Sequence, residues 1–127
     1  MATLQAAAGG RLPNSVQLSD AQTGDGVSTN IADRGAAVDR PALLTITTTV
    51  GASPACTYAI EGSADGTNWF AVPYAETATP DTWTVATFFA TEGTTQRVLQ
   101  PGQPWRYLRL TYSSNNNVTN TADLHVF

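Results

Sequence analysis

From Pro41 onward, apolar and hydroxyl side chains alternate with a period of two, and this pattern limits the fold more than any other feature. Leu44, Ile46, Thr48 and Val50 interleave with Leu43, Thr45, Thr47 and Thr49. In an extended chain that spacing puts an apolar row on one face and a hydroxyl-rich row on the other. The alternation returns at residues 106–112, with Leu108, Leu110 and Tyr112 on one side and Tyr107, Arg109 and Thr111 on the other. It returns again in Ala122, Leu124 and Val126. Gly51-Ala52-Ser53-Pro54 reads as the end of the first of these strands. The runs 57–60 and 69–72 flank Asp65-Gly66, a hairpin signal because tight turns need positive φ. Residues 82–90 read as a further strand with Trp83, Val85, Thr87 and Phe89 on one face. Residues 97–99 make a short strand closed by Pro101-Gly102-Gln103-Pro104, and residues 113–117 break the chain before the last strand. No stretch has helical periodicity beyond about two turns.

Six or seven strands with turn signals every ~8–12 residues point to an all-β fold, an antiparallel β-sandwich or barrel. The expected core is Ile46, Tyr58, Ile60, Leu108, Leu110 and Leu124. Residues 1–40 read differently. Short apolar pieces sit among Gly9-Gly10, Pro13-Asn14 and Gly24-Asp25-Gly26, residues that favour turns through positive φ or bonds to their own backbone. This predicts an extended N-terminal arm (1–40) with short strands, followed by the β-sandwich domain (41–127). Leu4, Leu12, Val16 and Leu18 are spaced anchors by which the arm could reach a neighbour or add a strand to its sheet edge. Alternatively, residues 1–18 form the first strand of the domain itself.

Composition narrows the function. The 127 residues suit one domain. Only 13% are charged, all six basic residues are Arg, and the net charge of -4 opposes nucleic-acid binding. Thr and Ala are the commonest residues, and Thr favours strands. One Cys and one His exclude a disulfide framework and the common zinc sites. The starting Met and the absence of a basic N-terminal region suggest a chain made without a cleaved leader. No apolar run approaches the ~20 residues of a membrane span. Cys56 is expected as a reduced, buried thiol, and Asn117-Val118-Thr119 as a polar hairpin tip.

No nucleophile elbow, phosphate loop, paired Cys motif or HExxH is present. Gly24-Asp25-Gly26 is only a turn, because no helix follows it. His125 alternates with Leu124 and Val126, so it faces away from the core and has no catalytic companion. Asp20 with Asp25, and Glu61 with Asp65, lack the dense oxygens of a calcium loop, and Glu61 should face solvent. The chain is therefore read as a non-enzyme with no catalytic, cofactor-binding or metal residues. Trp69, Trp83 and Trp105 could form a platform for sugar rings, but an aromatic on a small β domain more commonly fills the core. Trp105 is expected to cap one end of the body. Arg106 and Arg109 fall on opposite faces and make no single basic patch.

Three pieces carry a resemblance. They are Thr23-Gly24-Asp25-Gly26-Val27, then Ile60-Glu61-Gly62-Ser63-Ala64-Asp65-Gly66-Thr67-Asn68-Trp69, then Pro101-Gly102-Gln103-Pro104-Trp105-Arg106-Tyr107-Leu108-Arg109-Leu110. In this order the chain resembles capsid decoration (cement) proteins of tailed bacteriophages and related phage virion modules. The resemblance spans residues 20–112, and its S-x-D-G-T-x-W element occurs in other β-sandwich modules too. It implies a sandwich or jelly-roll-like body bound to the outer capsid surface, with the major capsid protein as partner and a homotrimer as the assembly. Its location would be the virion, after synthesis in the host bacterial cytoplasm. It supplies no catalytic residues, and the charge and the short apolar runs leave no expected nucleic-acid or membrane partner and no cofactor. The alternative is a carbohydrate- or receptor-binding module of a tail fibre or secreted enzyme, and a third reading is a tail or neck component.

Overall fold

A computed structural model describes residues 3–6, 14–35, 40–89 and 92–126. Their elements are β1 (Thr3–Ala6), β2 (Asn14–Gln22), β3 (Gly26–Val27), β4 (Asn30–Asp33), β5 (Ala42–Ser63), β6 (Phe70–Ala71), β7 (Tyr74–Glu76), β8 (Phe88–Phe89), β9 (Gly93–Leu99) and β10 (Tyr107–Val126). Among the described residues there is no helix. The hydrogen-bonded order is β1-β4-β10-β5-β9-β7, with β2 and β3 also on β10, and β6 and β8 also on β5. The fold is all-β, and every pairing is antiparallel except β1 with β4. The hydrogen bonds draw one open sheet rather than two separate ones.

Two long strands organise it. β5 and β10 pair from Tyr107 with Ser63 to Val126 with Ala42. Neither turn signal ends its strand, contrary to the sequence reading, because the two signals lie opposite one another and form a corner. The register between the strands slips twice, between Ser113 and Asn116 and between Asn116 and Val118. Ser53, Ser114 and Asn117 take positive φ there, at 49°, 54° and 55°, a region that small polar side chains tolerate better than branched ones. Side chains supply bonds that the ladder lacks. Asn116 Nδ2 donates to Ser53 O at 2.7 Å, Asn117 Nδ2 to Ala52 O at 2.6 Å, and Asn115 Oδ1 accepts from Val118 N at 3.2 Å. Pro54 is accommodated because a bulge demands no regular donor. Asn117 thus belongs to a corner within a strand and not to a hairpin tip.

Across the corner the even-numbered residues stay on one face, so the two halves of each strand present their apolar rows to a common core. Ile46, Tyr58, Ile60, Leu108, Leu110 and Leu124 are all buried, as expected, and are joined by Ala42, Leu44, Tyr112, Val118, Ala122 and Val126. Buried polar groups stitch the halves together. Tyr58 OH donates to Asn120 Oδ1 and lies 3.4 Å from Thr48 Oγ1, and Tyr112 OH donates to Ser19 Oγ at 2.8 Å.

Val16 and Leu18 are buried in β2, which pairs with β10 from Val126 to Asn120. The backbone of Leu4 pairs with Ile31, and Leu12 lies outside the described residues. The expected strand at 82–90 shrinks to β8. Phe88 is buried between Tyr58 and Tyr74, with ring centroids 5.4 and 5.1 Å away, while Val85 and Phe89 face outward. Aromatic stacking decides which residue turns inward here, and Tyr74 OH donates to Ala86 O at 2.7 Å, fixing the approach.

Candidate interaction surfaces

The three pieces that carry the family resemblance converge on one half of β10. Val27 pairs with Thr111, Glu61 with Arg109, and Ala71 with Glu61, so β3, β10, β5 and β6 lie side by side. The Asp65-Gly66 signal does make a hairpin, though its loop is longer than a two-residue turn. Asp65 Oδ1 accepts from Ser63 Oγ and from the backbone N–H groups of Thr67 and Asn68, at 2.8–2.9 Å. Asp65 Oδ2 accepts from Asn68 Nδ2 at 2.8 Å. These bonds, the Asn68 N–H foremost, hold the Asp65 carboxyl well below the usual carboxylate range. Gly66 takes φ 79°, which supplies the turn.

Trp69 closes this loop by lying under Arg109, whose guanidinium carbon is 3.9 Å from the ring centre. Arg109 Nε donates to Glu61 Oε1 at 2.8 Å, and Thr111 Oγ1 donates to the same oxygen at 2.7 Å. Glu61 is therefore half-buried and engaged rather than simply solvent-facing. Arg106 instead pairs with Asp33 at 2.8 Å, and this bond holds the Asp33 carboxyl below its ordinary range. Each arginine has its own carboxylate, so no basic patch forms between them.

Trp105 packs against the core and stacks on Phe70, with ring centroids 5.5 Å apart. Its place depends on Gly62, where an added Cβ would lie 2.5 Å from Trp105 Cγ. Arg34 Nε donates to Trp105 O at 2.9 Å and anchors the segment. The expected cap over one end of the core is thus a pair, Trp105 with Phe70, and Phe70 remains 55% exposed.

A second surface lies around β8. Phe89 is 71% exposed and Val85 57%. Phe89 stands as a ridge between two hollows. One, of about 450 Å³, is lined by Val50, Pro54, Ala55, Cys56, Glu92 and Val118 together with Phe89. The other, of about 480 Å³, runs beside β9 between Phe89 and Thr77-Ala78. The sequence placed Phe89 in an apolar row, but no periodicity signals that it would be left outside.

Cys56 is a buried free thiol in β5, and burial pushes its pKa up. Asn120 Nδ2 is 3.8 Å from its Sγ. His125 is half-buried on the face opposite the core, and its backbone lies between Ser15 and Leu43. Asp25 Oδ1 accepts from Asn115 N at 2.7 Å and braces the corner. Among the described residues no three His, Cys, Asp or Glu side chains gather in a metal-binding group. The buried Thr48–Tyr58–Asn120 cluster was not legible as a unit, since its members lie 10 and 62 residues apart.

Neither a protein-family model nor a curated protein sequence matches the chain. Its fold is similar to that of a solved structure described as the SPBc2 prophage-derived protein YomS. The TM-score is 0.66 over 91% of this chain and 93% of that one, at 10% sequence identity. At that identity the likeness establishes a shared fold.

Proposed function

We propose that this protein is a structural component of a tailed-bacteriophage particle, a decoration (cement) protein that binds the outer surface of the head and stabilises it. The observation that carries the reading is the fold shared, along nearly the whole of both chains, with a prophage-derived protein. The sequence resemblance supports it, because its three pieces occupy one contiguous half of the sheet. The finer fold, a sandwich made by bending a single sheet, is supported by the Tyr58–Asn120 and Tyr112–Ser19 bonds across the core. The protein acts without catalysis or cofactor, as a homotrimer on the major capsid protein of the virion surface. Several modest contacts made at once give a clamp its strength. Outer rows of hydroxyls such as Thr47 and Thr49 can lie against another protein with little charge desolvation.

Mixing the purified protein with undecorated heads of the phage that encodes it should give saturable co-sedimentation and a higher disruption temperature. No co-sedimentation at micromolar protein would overturn the reading. One observation favours a carbohydrate- or receptor-binding module instead, namely the surface-exposed stack of Phe70 on Trp105. Saturable glycan binding that Phe70→Ala abolishes would select it.

A further inference from the structure

We infer that the free edge of β9, with Phe89 beside it, is a strand-addition groove for an extended apolar and basic segment of another protein. β9 pairs with β5 along its full length, from Gly93 with Thr48 to Leu99 with Ala42. On its other side β7 covers only Arg97, Val98 and Leu99. After Glu76 the chain turns away, with Thr79 N donating to Glu76 O at 3.0 Å. Among the described residues, Gly93, Thr94, Thr95 and Gln96 therefore have no strand on the side away from β5.

Alternation fixes which groups face outward. Gln100 N donates away from β5, to Pro73 O at 2.9 Å, so Gln96 and Thr94 direct their backbone groups the same way. The Gln96 carbonyl is met from that side by Arg97 Nη1 at 2.9 Å, which leaves Thr94 as the centre of the open edge. Natural edges are usually protected by charge, Pro or a covering loop. Here four successive positions are Gly, Thr, Thr and Gln. The hollow of about 480 Å³ is lined by Thr94, Thr95 and Gln96 of this edge together with Thr77, Ala78 and Phe89.

Charge selects the occupant. Glu76 and Glu92 flank the ridge, and Glu76 is 64% exposed. Arg97 is already engaged, 3.5 Å from Glu76 and 4.6 Å over the Phe88 ring. Arg97 offsets one of the two carboxylates, so the ridge keeps a net negative charge that a second copy would set against itself. A strand alternating apolar and basic residues instead covers Phe89 and meets the exposed carboxylates. If the occupant is a capsid segment, that identity rests on the proposed function, but the groove does not.

The test uses the full chain and a fluorescent peptide of about seven residues alternating Val with Lys, as long as a typical strand. Saturable binding is expected, weakened about tenfold or more by Phe89→Ala, by Thr94→Pro, or by Glu in place of the peptide's Lys. Pro at an outward-facing edge donor leaves the internal ladder intact. If Thr94→Pro nonetheless unfolds, the same peptide with alternate amides N-methylated removes the backbone bonds from the other side and should not bind. No peptide binding, or binding indifferent to Phe89→Ala and to N-methylation, overturns the groove. So does a wild-type dimer that Thr94→Pro dissociates, which would assign the edge to a second copy. On heads, wild-type binding that both variants lose extends the groove to the capsid. Peptide binding without head binding would instead sink the decoration role and spare the groove.

Discussion

Residues 42–50 with 118–126, and residues 56–63 with 107–113, are two halves of the same pair of strands held in different ways. In the first half, long strands β2 and β9 flank the pair, the core is aliphatic apart from Thr48 and Asn120, and the outer row is Thr with few charges. In the second, only the short strands β3, β4, β6 and β8 flank it. That half is closed instead by Trp105, by the Trp69–Arg109–Glu61 stack, by Arg106–Asp33 and by the Asp65 loop. Where backbone pairing is extensive, side chains need only alternate. Where it is sparse, specific side-chain geometry takes over, and that half also carries the motifs.

If this contrast holds, the largest loss should come from the ladder half. Leu124→Ala should cost about 2–5 kcal/mol, because it removes a fully buried side chain from a rigid aliphatic layer. Urea unfolding measures it, and a cost below that of any change in the motif half would break the comparison. Next comes Gly62→Ala. The new methyl meets Trp105 Cγ at 2.5 Å and should cost about 1–3 kcal/mol by overpacking. Gly51→Ala at the corner, 3.2 Å from Asn117 Cβ, is the milder control. Equal costs would mean that Trp105 does not close the motif half.

Glu61→Gln should cost about 1 kcal/mol, since it weakens the partly buried pair with Arg109 and the Thr111 bond. The Asp65 loop offers a pH test. Its folded pKa is depressed, so its contribution is present above the ordinary aspartate value of about 3.9 and is lost only as pH falls through the lower folded value. Thr67 and Asn68 amide resonances should therefore hold their positions at about pH 3, below the ordinary aspartate value; movement centred on that ordinary value would show the loop bonds to be absent in solution. Smallest of all is Thr47→Ser on the exposed ladder row, expected to change stability by no more than about 0.5 kcal/mol.

Much of this was legible because period two reports burial directly. Leu108, Leu110 and Tyr112, and Ala122, Leu124 and Val126, all turned inward as their spacing required. The reading failed where turn residues serve another purpose. Pro54 and Asn115-Asn116-Asn117 look like chain reversals from either strand alone, and become a corner only because each lies opposite the other. It left Phe88 and Phe89 undecided. Adjacent identical residues carry no signal about which one will meet Tyr58 and Tyr74. Of the candidate surfaces, the hairpin at Asp65-Gly66 was visible, while the Glu61–Arg109–Trp69 stack and the open edge of β9 were not.

By itself the sequence determined that the chain is a small antiparallel β protein, poor in charge, with a known set of inward rows. Side-chain alternation and turn chemistry are local, and a linear chain displays them. Only the tertiary structure decided that two long strands bend together into one continuous sheet, that Gly62 leaves room for Trp105, and that β9 runs past the end of β7. Those outcomes depend on which segments become neighbours, and pairing between residues tens of positions apart is set by the whole packed molecule.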